Sequence, residues 1–343
     1  MTQKKRTEIA ELGEFGLIDH LTKDFTTSNK NTLRGVGDDA AVIKVGRDDA
    51  MVVTTDSLLE GVDFDLTYFP LKHLGYKAVT VGVSDVLAMN AIPEQVMISL
   101  GVSSKLPVEA LEDLYEGVKF ACDEMGIDMV GGDTTASMTG LVINITTIGR
   151  AKRKAISYRS GAQFNDLICI TGNLGAAYMG LHLLEREKRV LRDVQNPEPQ
   201  FAGYEYLLQS YLKPRARKDI VDALAAEGIV PTSMIDLSDG LASEVLQICK
   251  ASKCGARIYL ERIPIAKQTS ALAEEMHIDP VVAALNGGND YELMFTVPLA
   301  MQEQVMSMGM VDIIGHITRE STGAYLVTPD GSDIKLRAQG FKE

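Results

Sequence analysis

Seven aspartates stand in apolar or Gly/Thr-rich surroundings, with almost no lysine or arginine beside them in the chain. They are Asp38 and Asp39 in Val36-Gly-Asp-Asp-Ala-Ala-Val42, Asp56 in Val53-Thr-Thr-Asp56, and Asp85 in Val83-Ser-Asp-Val86. The others are Asp133 in Gly131-Gly-Asp-Thr-Thr135, with Asp236 and Asp239 in Asp236-Leu-Ser-Asp-Gly240. An ionised carboxylate without a partner is costly to bury. Hard cations such as Mg²⁺ take oxygen ligands, usually a few carboxylates together with waters and phosphate oxygens. The pattern therefore asks for metal ions and a phosphorylated ligand.

Each motif also has a plainer reading. Gly-Asp pairs populate solvated turns, and Thr54-Thr-Asp56 or Asp236-x-Ser-Asp239 could be helix caps. Gly131-Gly-Asp133 puts two permissive glycines before a carboxylate, which suits close approach of backbone to phosphate or simply a tight turn. Gly172-Asn-Leu-Gly175 lacks the Lys-Ser/Thr ending of a Walker loop and reads as a packing turn. Gly287-Gly-Asn-Asp-Tyr-Glu292 falls between a helix and a strand, where binding loops usually lie. The alternatives weaken one another, because each acid needs less excuse once its neighbours hold metal.

The elements that must position these acids are legible in outline. Residues 41–45 and 50–55 are β-rich runs joined by the turn-like Gly46-Arg-Asp-Asp49. From Leu74 to Ala91 the spacing predicts a helix, with Leu74, Ala78, Val81, Asp85 and Ala88 on one stripe and Val79, Val83 and Val86 on the opposite side. Such a helix should be buried all round, with Asp85 its only acid. Residues 95–102 read as a strand. Leu111, Leu114, Val118, Ala121 and Met125 mark an amphipathic helix after Pro107. The Asp133 motif then falls between that helix and a β-rich run at 141–148. The basic cluster Arg150-Ala-Lys-Arg-Lys154 marks a domain junction, giving domains at 1–150 and 151–343. The second half opens with a strand at 167–171 and a helix to about Arg186. Residues 189–214 read as partly irregular, a helix follows to Gly228, and another is expected from Leu241 to Lys250. A hairpin closes around Pro329-Asp-Gly331. Both halves mix α and β without the βαβ rhythm of a doubly wound sheet, so the class is α+β or mixed α/β in two domains.

Bulk properties exclude several roles. The 343 residues carry a net charge of −13, from 34 basic and 47 acidic side chains. So acidic a chain suits neither nucleic acid nor an anionic membrane. Four scattered cysteines show no C-x₂-C pair, and the five histidines no zinc-type spacing. The basic start Met1-Thr-Gln-Lys-Lys-Arg6 leads into no apolar stretch of the secretory kind, and the uncharged run at 134–149 is too rich in Thr, Ser and Gly to span a bilayer. A cytoplasmic location is the expectation.

Taken together the motifs resemble those of the thiamine-monophosphate kinase family, within the aminoimidazole-ribonucleotide-synthetase-like superfamily. The resemblance runs from Gly13-Glu-Phe-Gly-Leu-Ile18 through Gly35-Val-Gly-Asp-Asp39, Thr55-Asp-Ser-Leu-Leu-Glu-Gly61, Tyr76-Lys-Ala-Val79 with Ser84-Asp85, and Gly131-Gly-Asp-Thr-Thr135. It continues through Arg159-Ser-Gly161 and Asp236-Leu-Ser-Asp-Gly-Leu241 to Gly287-Gly-x-Asp-Tyr-Glu-Leu293. It implies that Asp39, Thr54, Thr55, Asp56, Asp85, Asp133, Asp236 and Asp239 are Mg²⁺ ligands, with Asp56, Asp85 and Asp133 central to catalysis. It further implies that Tyr115, Gly132, Arg159 and Ser238 contact ATP, and that Asp63, Asn289 and Phe341 lie at the substrate. Members resembling this chain form homodimers in which the N-terminal domains pair through their sheets.

Two positions depart from the family's pattern: Asp63 stands where His is usual, and Asn289 where Glu is usual. One account is that a carboxylate has moved from one wall of the substrate pocket to the other. The implied reaction is transfer of the γ-phosphoryl of ATP to thiamine monophosphate. Donor and acceptor are both anionic, and two unit charges ~4 Å apart repel by about 4 kcal/mol at an effective dielectric of 20. Several Mg²⁺ ions would remove that repulsion, and no general base is demanded. The rival readings are another Mg-ATP enzyme of the same superfamily and a nucleotide-binding regulator that has lost transfer.

Overall fold

The computed structural model describes residues 7–192, 194 and 198–338. Its N-terminal half holds β1 (Thr32–Arg34), β2 (Ala41–Lys44), β3 (Asp49–Leu59), β4 (Ile92–Val102), β5 (Asp128–Ala136) and β6 (Val142–Lys152). These form one six-stranded sheet in the order β1-β2-β3-β6-β4-β5, in which β4 and β5 run parallel and the other pairs antiparallel. Among the described residues this half carries the α-helices α1 (Gly13–Thr22), α2 (Leu71–Ala88) and α3 (Val108–Met125).

Strand β3 alternates as a half-buried strand should. Ala50, Val52, Thr54 and Leu58 are buried while Thr55 and Ser57 are exposed. The buried face carries α2, whose residues are buried on every side as the apolar pattern demands. Helix α3 packs over α2 through two glycines. A Cβ on Gly75 would lie 2.0 Å from the Leu114 carbonyl oxygen, and one on Gly117 would lie 1.8 Å from that of Lys72. Only two bare backbones can approach so closely.

The second half holds β7 (Leu167–Thr171), β8 (Ser233–Asp236), β9 (Cys254–Tyr259), β10 (Leu293–Val297), β11 (Val311–Arg319), β12 (Ala324–Val327) and β13 (Asp333–Lys335). They form a seven-stranded sheet, β13-β12-β9-β11-β7-β10-β8, with β12 and β9 its parallel pair. Its helices are α4 (Ala176–Leu191), α5 (Glu205–Leu212), α6 (Lys218–Ala226), α7 (Leu241–Ser252), α8 (Lys267–Glu275), α9 (Pro280–Asn286) and α10 (Gln302–Ser307). Edge strand β8 packs against α2, so one buried helix touches both sheets. A single apolar cluster runs from Leu74 and Ile98 in the first half to Ile220 and Phe295 in the second.

Three elements differ from the sequence expectation. The Asp133 motif is not a connection but the middle of edge strand β5. Its paired glycines are poor strand formers, and the ladder with β4 supplies what propensity does not. Within the segment expected to be irregular, α5 forms because Leu207 and Tyr211 bury against the core. Strand β3 extends to Leu59 rather than ending before Asp56, since β6 pairs with it along its whole length.

Candidate active site

Each acid reaches its place on a different element. Asp39 precedes β2, Asp56 lies on β3, Asp85 is on the last turns of α2, and Asp236 ends β8. The packing of α2 on both sheets draws these together. One carboxylate oxygen from each of Asp39, Asp85 and Asp236 falls within 4.8 Å of the other two. Three negative charges at that spacing repel by about 3 kcal/mol per pair even at an effective dielectric of 20. The cluster must bind protons or cations.

The surroundings hold the acids in position without neutralising them. The Thr54 hydroxyl donates to Asp85 Oδ2 at 2.5 Å, and the Ser84 hydroxyl donates to Asp236 Oδ2 at 2.6 Å. Both hydroxyls come from residues that are themselves buried. Burial and the neighbouring carboxylates push Asp85 well above the usual carboxylate range. Burial and then the Asp39 charge raise Asp236 to about 7 and Asp56 to about 6. Asp39 Oδ2 and Asp56 Oδ2 are buried with no hydrogen-bond partner. Orphaned carboxylate oxygens are rare in folded proteins and call for an unseen partner. An all-oxygen donor set with two open oxygens fits a hard divalent cation such as Mg²⁺.

The apparent lack of basic partners holds only locally in the chain. Arg159 donates to Asp39 Oδ1 through Nε at 3.1 Å and through its Nη2 at 2.6 Å. Asp38 is fully engaged: Arg34 Nε donates to it at 2.9 Å and the Arg159 backbone N–H at 2.9 Å. Of the adjacent pair, Asp38 therefore anchors the strand ends and Asp39 faces the cluster.

Other expected site residues stand apart within this chain. Asp133 is in register with Ser99 on β4, Asn144 on β6 and Ser57 on β3. Three strand spacings separate Asp133 from Ser57, about 14 Å. Its row lies on the face of the sheet away from α2, with exposed Thr55. Gly132 shares that edge strand, and Tyr115 lies on α3, partly buried against the core. Phe341 lies outside the described residues. Ser238 and Asp239 follow Asp236 and line a cavity of about 400 Å³ together with Asn289. Asp63 sits in the loop after β3, where its carboxylate accepts the Leu59 N–H at 2.8 Å.

The Gly287–Glu292 loop is held under backbone strain. Asn289 and Tyr291 adopt φ of 62° and 51°, uncommon for residues with a Cβ. Asp290 is half-buried and caps α4, accepting the Gly175 N–H at 2.8 Å and the Ala177 N–H at 3.3 Å. Glu292 takes the Thr171 hydroxyl at 2.5 Å and pairs with Arg217. The Gly172–Gly175 turn is thus a packing turn that meets this loop. Sequence reasoning passed over Glu244, which is buried and accepts the backbone N–H groups of Ser238 at 3.1 Å and Asp239 at 2.7 Å. Its signal was an acid in the first turn of the helix after the motif.

Residues 37–151 match the AIR synthase related protein N-terminal domain, and residues 165–327 the corresponding C-terminal domain. The thiamine-monophosphate kinase of Buchnera aphidicola (subsp. Schizaphis graminum) is 34% identical over 96% of this chain and 98% of its own length. That of Aquifex aeolicus is 33% identical over 97% of this chain and 99% of its own. A solved structure described as AaThiL complexed with AMPPCP and TMP superposes with a TM-score of 0.81 at 31% identity, covering 96% of this chain and 97% of that one. With both domains in order and relatives of a third identity along its length, this chain belongs to the AIR synthase related proteins and, among them, to the thiamine-monophosphate kinases.

Proposed function

We infer that this protein transfers the γ-phosphoryl group of ATP to the phosphate of thiamine monophosphate, giving thiamine diphosphate and ADP. The observation that carries the reading is the meeting of Asp39, Asp85 and Asp236, from three separate elements, in a chain of this family. Mg²⁺ bound by these carboxylates with Asp56 would neutralise the phosphate oxygens of both anionic substrates. The chain's own groups prepare that site. Thr54 and Ser84 fix two carboxylates by hydroxyl donation, and Arg159 holds Asp39 at one oxygen while leaving the other open. Glu244 shapes the Ser238–Asp239 backbone from behind. The acceptor phosphate is already ionised, so no side chain needs to act as general base.

Residues 1–150 would form the domain that binds ATP and metal and pairs with a second copy, and residues 151–343 would complete the site. Support for the pairing is the edge strand β5, which leaves its outer backbone row unpaired and exposes Met129 and Val130. Asp133 and Gly132 lie on that edge strand, whereas Thr55 is exposed on β3, three strands away.

Incubation with Mg²⁺, ATP and thiamine monophosphate, followed by mass spectrometry, tests the reading. The expected result is equal formation of ADP and thiamine diphosphate. ADP released at the same rate without the acceptor, or no diphosphate at all, would overturn it. The latter result with intact ATP binding is the outcome required of a regulator that has lost transfer.

A further inference from the structure

We propose that Glu14, in the first turn of α1, is the carboxylate that faces the positively charged, amino-bearing heterocycle of the acceptor. The inference rests on the phosphoryl-transfer reading above and adds to it a specificity-determining residue. The cavity of about 400 Å³ that follows the Asp236 motif is lined by Ser238, Asp239 and residues 286–289, together with Gly13 and Glu14 at the start of α1. That volume is within the usual range for a small-molecule site. Asn289 brings an amide and no charge to this wall. Asp63 is not among the lining residues. Its carboxylate is taken by the Leu59 N–H at 2.8 Å, its backbone carbonyl accepts the Tyr211 hydroxyl at 3.2 Å, and its charge acts on the buried ammonium of Lys77. The notion of a carboxylate relocated from position 289 to position 63 therefore does not suit this geometry.

Glu14 meets the requirement that Asp63 does not. No ion pair or hydrogen bond engages it among the described residues, and its exposed side chain shares the cavity lining with Asp239. Core packing does not account for its placement, since no residue of α1 is buried. The helix is instead tied to α7, the helix that follows the Asp236 motif, by Lys250 donating to Asp19 at 2.6 Å. A helix without a buried face, tethered beside a cavity with an unpaired acid turned onto it, is arranged for a cationic ligand. A carboxylate accepting from such a ring makes a charge-assisted bond, the stronger kind of hydrogen bond.

Glu14→Gln keeps the side chain's size and removes its charge. Steady-state kinetics of the full-length protein should show the KM for thiamine monophosphate raised about tenfold, with the KM for ATP within twofold of wild type. Asp63→Asn should raise the acceptor KM less than Glu14→Gln does. An unchanged acceptor KM in Glu14→Gln overturns the proposal, as does the reverse ranking of the two variants. An ATP KM that rises as far as the acceptor KM also overturns it, by placing Glu14 at the nucleotide. Failure of the wild-type protein to phosphorylate thiamine monophosphate is a separate result, seen before any variant is made, and overturns the transfer reading itself.

Discussion

Asp38 and Asp39 are neighbours in the chain and do opposite things. Two arginines satisfy Asp38, whereas Asp39 keeps one buried oxygen without a partner and groups with Asp85 and Asp236. Removing one charge from such a cluster should help the metal-free protein and harm the metal-bound one. Asp85→Asn is therefore expected to unfold at a higher temperature than wild type in EDTA. Mg²⁺ at about a hundred times its Kd should add roughly 2.7 kcal/mol to wild-type stability, and most of that gain should vanish in the variant. Thermal unfolding with and without Mg²⁺ measures both, and a wild type indifferent to Mg²⁺ would count against a cation site. Lys77 is a second case of stored charge. Its ammonium is buried over the Tyr211 ring, 4.1 Å from the centroid, with no hydrogen-bond partner, and burial pushes its pKa down to about 7. The unfolded value is about 10.4, so between the two the unfolded chain binds a proton that the folded chain does not. This group therefore makes stability rise with pH across that window, and its penalty is complete below about pH 7. Lys77→Met should stabilise the protein most at pH 6.5 and less at pH 9. Urea unfolding at the two pH values checks the sign, and an equal gain at both would refute it.

At the scale of elements, α2 matters most. It is buried all round because it lies between the first sheet, α3 and β8, and this position carries Asp85 from one half to Asp236 in the other. The apolar pattern on both sides of the helix made that burial legible in the sequence. What covers it was not legible, because an all-round apolar helix has no preferred face to read. The crossing with α3 depends on Gly75 and Gly117. Gly117→Ala would drive a methyl group into the Lys72 carbonyl and should cost about 3 kcal/mol or more. Activity should fall with it, since the shift moves Asp85. Denaturant titration together with turnover would test this, and a variant as stable as wild type would show that the crossing is not tight. Strand β5 is the contrary case, read as a connection because its two glycines carry no strand preference.

The whole molecule is two sheets joined through one helix, with an apolar cluster spanning both. The outer edge of β5 is unpaired among the described residues, and pairing there with a second copy is the arrangement proposed above. The protein should sediment as a dimer. Val130→Lys should shift it toward monomer, because a lysine on an edge strand opposes edge-to-edge pairing. Sedimentation velocity over a range of concentrations decides this, and a wild-type monomer at all of them would remove the pairing from the account.

The amino-acid sequence by itself determined the kind of chemistry. Isolated aspartates among apolar, glycine and hydroxyl neighbours call for cations and phosphate whatever the fold, because burying such charges unpaired costs too much. It also determined the mixed α and β character of both halves and the motifs that relate the chain to its family. Only the tertiary structure decided which acids meet. Asp39, Asp85 and Asp236 converge, Asp133 and Thr55 lie on the far face of the sheet, and Arg159 reaches Asp39 from 120 positions along the chain. Local spacing sets which face of a strand or helix a side chain takes. Which faces are then brought together depends on long-range packing of α2 between two sheets, and no local pattern encodes that.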